Sequence, residues 1–333
     1  EWGVGGCLAE DMGLGKTIQA LAVLLARAEQ GPAMVVAPAS VCRNWLRETE
    51  KFTPGLRPLL FGMGDRQEML AQLKAGDLLI VSYGLMQSAI EALQDIPFNM
   101  LILDEAQAIK NTTTKRFKAA LQLQATFRMA LSGTPVENHL GELWSLFTFI
   151  NPGLLGNKKS FADRYGRPIQ RGEQAAVEQL KKLVQPFILR RRKSEVLQEL
   201  PPKTEIIQTI TLPEDERAFY EAARRQTLDK LSKELDQQQA GTQHLMVLAE
   251  ITRLRRACCH PRLLDAQSAF PGAKLEAFKE IIHDLREGGH RVLVFSQFVD
   301  YLKIVEDWVK KEKIPYQYLD GSTPGKKREQ AVK

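Results

Sequence analysis

Cysteine is scarce in this chain: Cys7, Cys42, Cys258 and Cys259 are the only four in 333 residues, and they are irregularly spaced. That excludes a disulfide framework and points to a reducing environment. The run Cys258-Cys259-His260 has no C-x-x-C partner to complete a tetrahedral zinc site, so its thiols read as buried structural groups. No apolar run approaches the ~20 residues that a membrane-spanning helix requires. The opening EWGVGG lacks the basic and apolar leader of a secreted protein, and a first residue other than Met reads as a piece of something longer. Nothing resembles a nuclear-localisation cluster, which favours a bacterial source. The expected location is intracellular: cytoplasm or nucleoid in a bacterium, nucleus in a eukaryote.

What is present is ordinary for a globular protein, with 44% hydrophobic and 26% charged residues. The length allows two domains with their own cores. A net charge of +6 fits a polyanion-binding protein and equally fits many basic enzymes.

Short continuous apolar runs, MVVAP (34–38), LLIVSY (78–83), MLILDEA (100–106) and RMALSGTP (128–135), alternate with helical patterns such as IQALAVLLARAEQ. Runs of this kind predict strands buried on both faces of a parallel sheet, with the helices as crossovers. A doubly wound α/β domain follows, its functional loops at the carboxyl ends of the strands. From residue 136 the character changes. Leu140, Leu143, Trp144 and Phe147 recur at helical spacing and read as core without a cofactor role. A further helix begins at Pro213 and its acidic followers, and DQQQAGTQ (236–243) links it to HLMVLAEITRLRRA. Near residue 290 the α/β rhythm resumes, with RVLVFSQF predicted as a buried strand, VDYLKIVEDWVKKEK as a helix and YQYLDGST as a strand ending in a turn.

Three loops carry chemistry. In DMGLGKT, Gly13, Leu14, Gly15, Lys16 and Thr17 form a phosphate-binding loop between a strand and a long helix, although Glu10 stands where the pattern G-x-x-x-x-G-K-[ST] has its first glycine. The glycines let amides approach phosphate, Lys16 neutralises it and the Thr17 hydroxyl coordinates Mg²⁺. In LILDEAQ, Asp104 is placed to hold the Mg²⁺ shell and Glu105 to deprotonate the attacking water. In LSGTPVEN, Ser132, Gly133 and Thr134 are placed to sense the γ-phosphate or the DEAQ loop.

The ordered set DMGLGKT, VVAPASVCRNW, DEAQAIKN, LSGTPVEN, FILRRRKSEVLQELPPK, RLRRACCHP and RVLVFSQF resembles the Swi/Snf-type ATPases of helicase superfamily two. The resemblance implies two RecA-like lobes with ATP and Mg²⁺ between them and a double-stranded DNA track crossing both. Its phosphate loop commonly lacks the first glycine. On that pattern residues 1–200 are the first lobe, with a helical insertion from about 139. Residues 201–272 are a helical insertion or linker, and 273–333 an incomplete second lobe. The resemblance also places Pro38, Ser40, Asn44, Trp45, Ser82 and Tyr83 beside the nucleic acid in the first lobe. Ser296, Gln297, Ser322 and Thr323 are their counterparts in the second. Contacts to phosphate rather than base edges would make such binding sequence-independent. The basic stretch LRRRK (189–193) reads either as a solvated patch or as a segment that touches DNA or helps set lobe orientation. Gln107 replaces the histidine of the DEAH form, which keeps a hydrogen-bonding side chain, removes a titratable one and bears on the coupling of ATP to DNA.

After DGSTPGKKREQAVK the family's glycine-rich loop and arginine finger do not appear, and its adenine-reading glutamine would precede Gly5. Three functional readings are therefore open: a duplex-DNA translocase acting on DNA-bound protein, a strand-separating DNA or RNA helicase, and a non-catalytic nucleotide- and DNA-binding module.

Overall fold

The computed structural model describes residues 4–133, 140–196, 199, 201, 203–234 and 240–332. The chain divides into two compact units, Glu1–Pro202 and Lys203–Lys333.

Unit 1 is built on seven strands: β1 (Gly6–Leu8), β2 (Ala33–Ala37), β3 (Arg57–Leu60), β4 (Asp77–Ser82), β5 (Phe98–Asp104), β6 (Ala125–Leu131) and β7 (Ile188–Leu189). They form one sheet in the order β3-β4-β2-β5-β6-β1-β7, every neighbouring pair parallel. The four apolar runs of the sequence supply β2, β4, β5 and β6. Their side chains alternate between two cores. Met34, Val36, Leu79, Val81, Leu101 and Leu103 face one side. Ala33, Val35, Ala37, Leu78, Ile80, Met100 and Ile102 face the other. Two dry faces explain why these strands read as continuous apolar runs rather than as alternation. Two strands were not foreseen. β3 and β7 are edge strands of four and two residues, too short and too mixed in polarity to stand out from their loops.

The crossover helices α1 (Lys16–Ala26) and α2 (Ala39–Phe52) each bury one stripe: Ala20, Leu21 and Leu24 in the first, Cys42, Trp45 and Thr49 in the second. Spacings of three and four residues keep each stripe on one helix face. The helix Leu140–Ile150 packs Leu143 and Phe147 into a third cluster with Leu155, Phe161, Tyr165, Leu180 and Val184, while Leu140 and Trp144 lie partly buried against it. The helical spacing read from that stretch is thus spent on packing.

Unit 2 holds the helices Glu214–Glu234, Ala240–Cys259, Ala273–Glu287, Val299–Lys311 and Gly325–Val332. A small core gathers Leu275, Tyr301 and Val305. The stretch 203–272 is grouped with 273–333 in this unit. Buried Glu216 joins them, accepting hydrogen bonds from the Gly272 and Ala273 amides at 2.9 and 3.0 Å, where a carboxylate offsets the positive end of the following helix.

Two expectations need correction here. RVLVFSQF and YQYLDGST form no ladder among the described residues; the first leaves Leu293 84% and Phe295 87% exposed. Apolar periodicity records a demand for cover on two faces. A strand also needs a neighbour to take its hydrogen bonds, and no described residue does so for these segments. The Cys258 thiol is exposed and that of Cys259 half-buried, whereas His260 is buried with Nδ1 accepting from the Arg262 amide at 3.1 Å. No group of three metal-ligating side chains occurs among the described residues.

Candidate nucleotide site

The register of the sheet brings the three loops to one rim. Leu8 at the end of β1 is level with Leu131 of β6, and Leu131 is level with Asp104 of β5. The chain therefore leaves β1 into the phosphate loop, β5 into the DEAQ turn and β6 into Ser132 at the same height, on adjacent or next-adjacent strands. Strands in a sheet lie about 4.8 Å apart, so all three turns fall within roughly one nucleotide's length.

The phosphate loop turns on glycine. Gly13 and Gly15 hold φ of +88° and +80°, a left-handed conformation that a side chain strains, and around a Cβ on Gly15 there is open space. Gly15 caps α1, whose first amides have no preceding turn to bond. The Lys16 ammonium donates to the carbonyls of Glu10 and Asp11 at 2.7 and 3.2 Å, and among the described residues no acid pairs with it. Helix-start amides, an ammonium bonded only to carbonyls and free space are the features a polyphosphate site requires.

Glu10, the residue in place of a glycine, is fully buried. Its carboxylate accepts from Gln19 Nε2 at 2.6 Å and pairs with the Arg191 guanidinium, which also donates to Gln19 Oε1 at 2.9 Å. The main chain of 189–191 runs alongside, taking the Ala9 amide at Leu189 O (2.8 Å) and the Asp11 amide at Arg191 O (3.4 Å). Part of the basic stretch is thus committed to the back of the phosphate loop. That role was hidden in the sequence because 181 residues separate the partners.

Asp104 is buried at the end of β5 with both oxygens engaged. Oδ2 accepts the Trp45 indole N–H at 2.8 Å and Oδ1 the Glu105 amide at 2.9 Å. Burial holds its carboxyl above the usual range, while the Trp45 hydrogen bond and the Lys16 charge pull it down. The Tyr83 hydroxyl donates to the Asp104 carbonyl at 2.9 Å. Trp45 and Tyr83, anticipated beside a nucleic acid, instead turn inward: they are 0% and 4% exposed and support the strand end that carries Asp104. An indole or phenol facing inward gives the same letters in a sequence as one facing a ligand.

Glu105 follows in the left-handed region (φ 50°, ψ 55°), uncommon for a residue with a side chain and a form of strain concentrated at functional sites. Its partly exposed carboxylate accepts from Gln107 Nε2 at 2.7 Å, and Gln107 Oε1 accepts from the buried Ser132 hydroxyl at 3.2 Å. The Ser132 amide donates to Leu8 O at 3.1 Å, and a Cβ on Gly133 would touch Met12 and the Glu10 carbonyl. A chain of hydrogen bonds thus runs from Glu105 through Gln107 and Ser132 to Leu8 at the end of β1, the strand that leads into the phosphate loop. Thr134 lies outside the described residues.

Of the other anticipated residues, Ser40 and Asn44 are exposed on α2 and Pro38 caps it. Ser82 caps the following helix through the Leu85 amide at 3.3 Å. In unit 2, Gln297 accepts from Arg255 at 2.5 Å and the Ser296 hydroxyl closes a turn on Phe298. The Ser322 and Thr323 hydroxyls both donate to Asp320.

The donor set fits Mg²⁺-nucleotide: oxygen ligands from Thr17 and Asp104, as a hard divalent cation prefers, beside an ammonium and open amides. Trp45→Phe tests the support of Asp104. ATP affinity measured in EDTA is expected to be unchanged, and the gain that Mg²⁺ brings to shrink about tenfold, the scale of one hydrogen bond to a charged group.

Comparison with known proteins agrees with this geometry. The SNF2-related domain model matches residues 2–263, and the helicase conserved C-terminal domain model matches 273–333. The Bacillus subtilis protein YwqA is 36% identical over 349 residues, which is 100% of this chain and 37% of that protein. The mouse SWI/SNF-related matrix-associated actin-dependent regulator of chromatin subfamily A member 1 is 33% identical over 100% of this chain and 33% of its own length. The chain thus spans about a third of the length of the curated relatives it matches. The structure of the Sulfolobus solfataricus SWI2/SNF2 ATPase core in complex with dsDNA superposes with a TM-score of 0.57 at 35% identity, over 99% of this chain and 70% of that one. With its parallel sheet, phosphate loop and DEAQ turn, the chain belongs to the SNF2-related ATPase family of helicase superfamily two.

Proposed function

We propose that this chain forms part of an ATP-driven translocase on double-stranded DNA, coupling hydrolysis to movement along the duplex or to remodelling of DNA-bound protein. The observation that carries the reading is the linked path Glu105–Gln107–Ser132 ending on Leu8 of β1, which connects the proposed hydrolytic carboxylate to the strand end that leads into the phosphate loop. The likeness to a core solved with duplex DNA supports the choice of track.

In this reading Lys16 and the loop amides hold the β- and γ-phosphates. Mg²⁺, held by Thr17 and Asp104, would neutralise charge on the phosphate oxygens. Glu105 orients a water and accepts its proton, with Gln107 fixing the carboxylate for that task. Ser132, hydrogen-bonded to Gln107, shifts when Gln107 does, so a change at the γ-phosphate is passed to the β6 strand end. Of the anticipated first-unit residues, Ser40 and Asn44 are exposed on α2 and available to duplex phosphates.

ATP turnover measured without DNA, with duplex and with single strands, on this chain and on a version extended past Lys333, tests the proposal. The longer version is expected to be stimulated by duplex and this chain to turn over negligibly. Stronger stimulation by single strands would favour a strand-separating helicase, and robust hydrolysis by this chain alone would show that its own residues suffice.

A further inference from the structure

Arg191 and Lys193 lie two residues apart in the basic stretch and do different things. The guanidinium of Arg191 is spent on Glu10. Lys193 anchors by its backbone, its amide donating to Asp11 Oδ2 at 3.0 Å, and its side chain folds back over the phosphate loop. A Cβ placed on Gly13 would stand 3.2 Å from Lys193 Nζ and 3.3 Å from Cε. An exposed lysine usually extends its ammonium into water; this one rests on the glycine whose left-handed turn opens the loop. Among the described residues no carboxylate pairs with that ammonium, and none pairs with Lys16. Lys193 Nζ thus lies beside the turn that carries Lys16, and the loop offers its amides to the anion that Lys16 would hold.

The geometry points to Lys193 as a second phosphate-binding cation of the nucleotide loop, acting with Lys16 on the polyphosphate of ATP. The inference rests on the reading of this loop as an ATP site and extends it. It takes Lys193 from the roles the sequence left open for its stretch, a solvated patch or a segment that touches DNA or helps set lobe orientation, and gives it to the nucleotide. A point-charge ammonium on a flexible stem suits a phosphate that gains and loses a neighbour during turnover, whereas the Arg191 fork suits its fixed carboxylate partner.

Calorimetric titrations of ATP, ADP and AMP, with a parallel titration of duplex DNA, test this on wild type, Lys193→Ala and Lys193→Arg. Lys193→Ala is expected to weaken ATP about tenfold, the scale of one charge-assisted contact, with a smaller loss for ADP and none for AMP. Duplex affinity and melting temperature should stay as in wild type, since the side chain is exposed. Lys193→Arg should recover most of the loss. ATP affinity unchanged in Lys193→Ala overturns the inference, as does a loss confined to duplex DNA. A wild-type chain that fails to bind ATP at all would instead overturn the reading of the loop itself, and the inference with it.

Discussion

Glu105→Gln keeps ATP bound at wild-type affinity and lowers its hydrolysis about 10²–10⁴-fold, the share of rate that a positioned general base contributes. The substitution is nearly isosteric. Its amide oxygen still accepts from Gln107 Nε2, so the 2.7 Å contact and the path to Ser132 survive. Only the capacity to take a proton is lost. The Lys16 ammonium and the loop amides, which hold the nucleotide, are untouched. Binding by calorimetry and turnover by phosphate release in the extended version would separate the two effects. Equal loss of binding and turnover would mean that Glu105 holds the nucleotide rather than acting on water.

Arg191→Ala is the change expected to cost most in stability, about 3 kcal/mol, because it strands a fully buried carboxylate. The guanidinium side chain is 45% exposed, so water entering the vacated space offsets part of the cost that a wholly buried pair would show. The loss should appear as a lower urea midpoint of the transition reporting on unit 1. A second substitution identifies the cause. Adding Glu10→Gln removes the unpaired charge and should return well over half of the lost stability, a coupling that only groups in contact display. Simple additivity of the two changes would show that Arg191 acts through something other than Glu10. With the clamp gone, the loop that Glu10 and Asp11 lead into keeps its main-chain bonds to 189–191 and loses its side-chain anchor there. ATP affinity should fall along with stability.

The two predictions differ in how far they could be read beforehand. Glu105 stood out in the sequence because it ends a continuous apolar run, and a carboxylate there must sit on the sheet's rim. The DEAQ turn and Ser132 each end such a run, whereas the phosphate loop was legible from its own G-x-G-K-T pattern before a long helix. Arg191 was legible only as one basic residue among several, since its partner is fixed by β7 pairing with β1, a long-range event with no local signature. Trp45 and Tyr83 show the converse limit. Their neighbourhood in the chain was informative, but which way each ring faces depends on the phase of a helix against the sheet. The strands anticipated at RVLVFSQF (291–298) and YQYLDGST (316–323) failed for a third reason, because pattern reports burial demand and not the presence of a ladder partner.

The expectations about ATP depend on one claim, that the loop Gly13–Thr17 holds a nucleotide by its phosphates. Calorimetric titration of ATP with Mg²⁺ into the wild-type chain and into Lys16→Ala tests it most directly. Saturable one-site binding by wild type, weakened about 100-fold or lost in Lys16→Ala, is the predicted result, the scale of a charged group's hydrogen bonds to phosphate. Equal binding by the two proteins, or none by wild type, would contradict it.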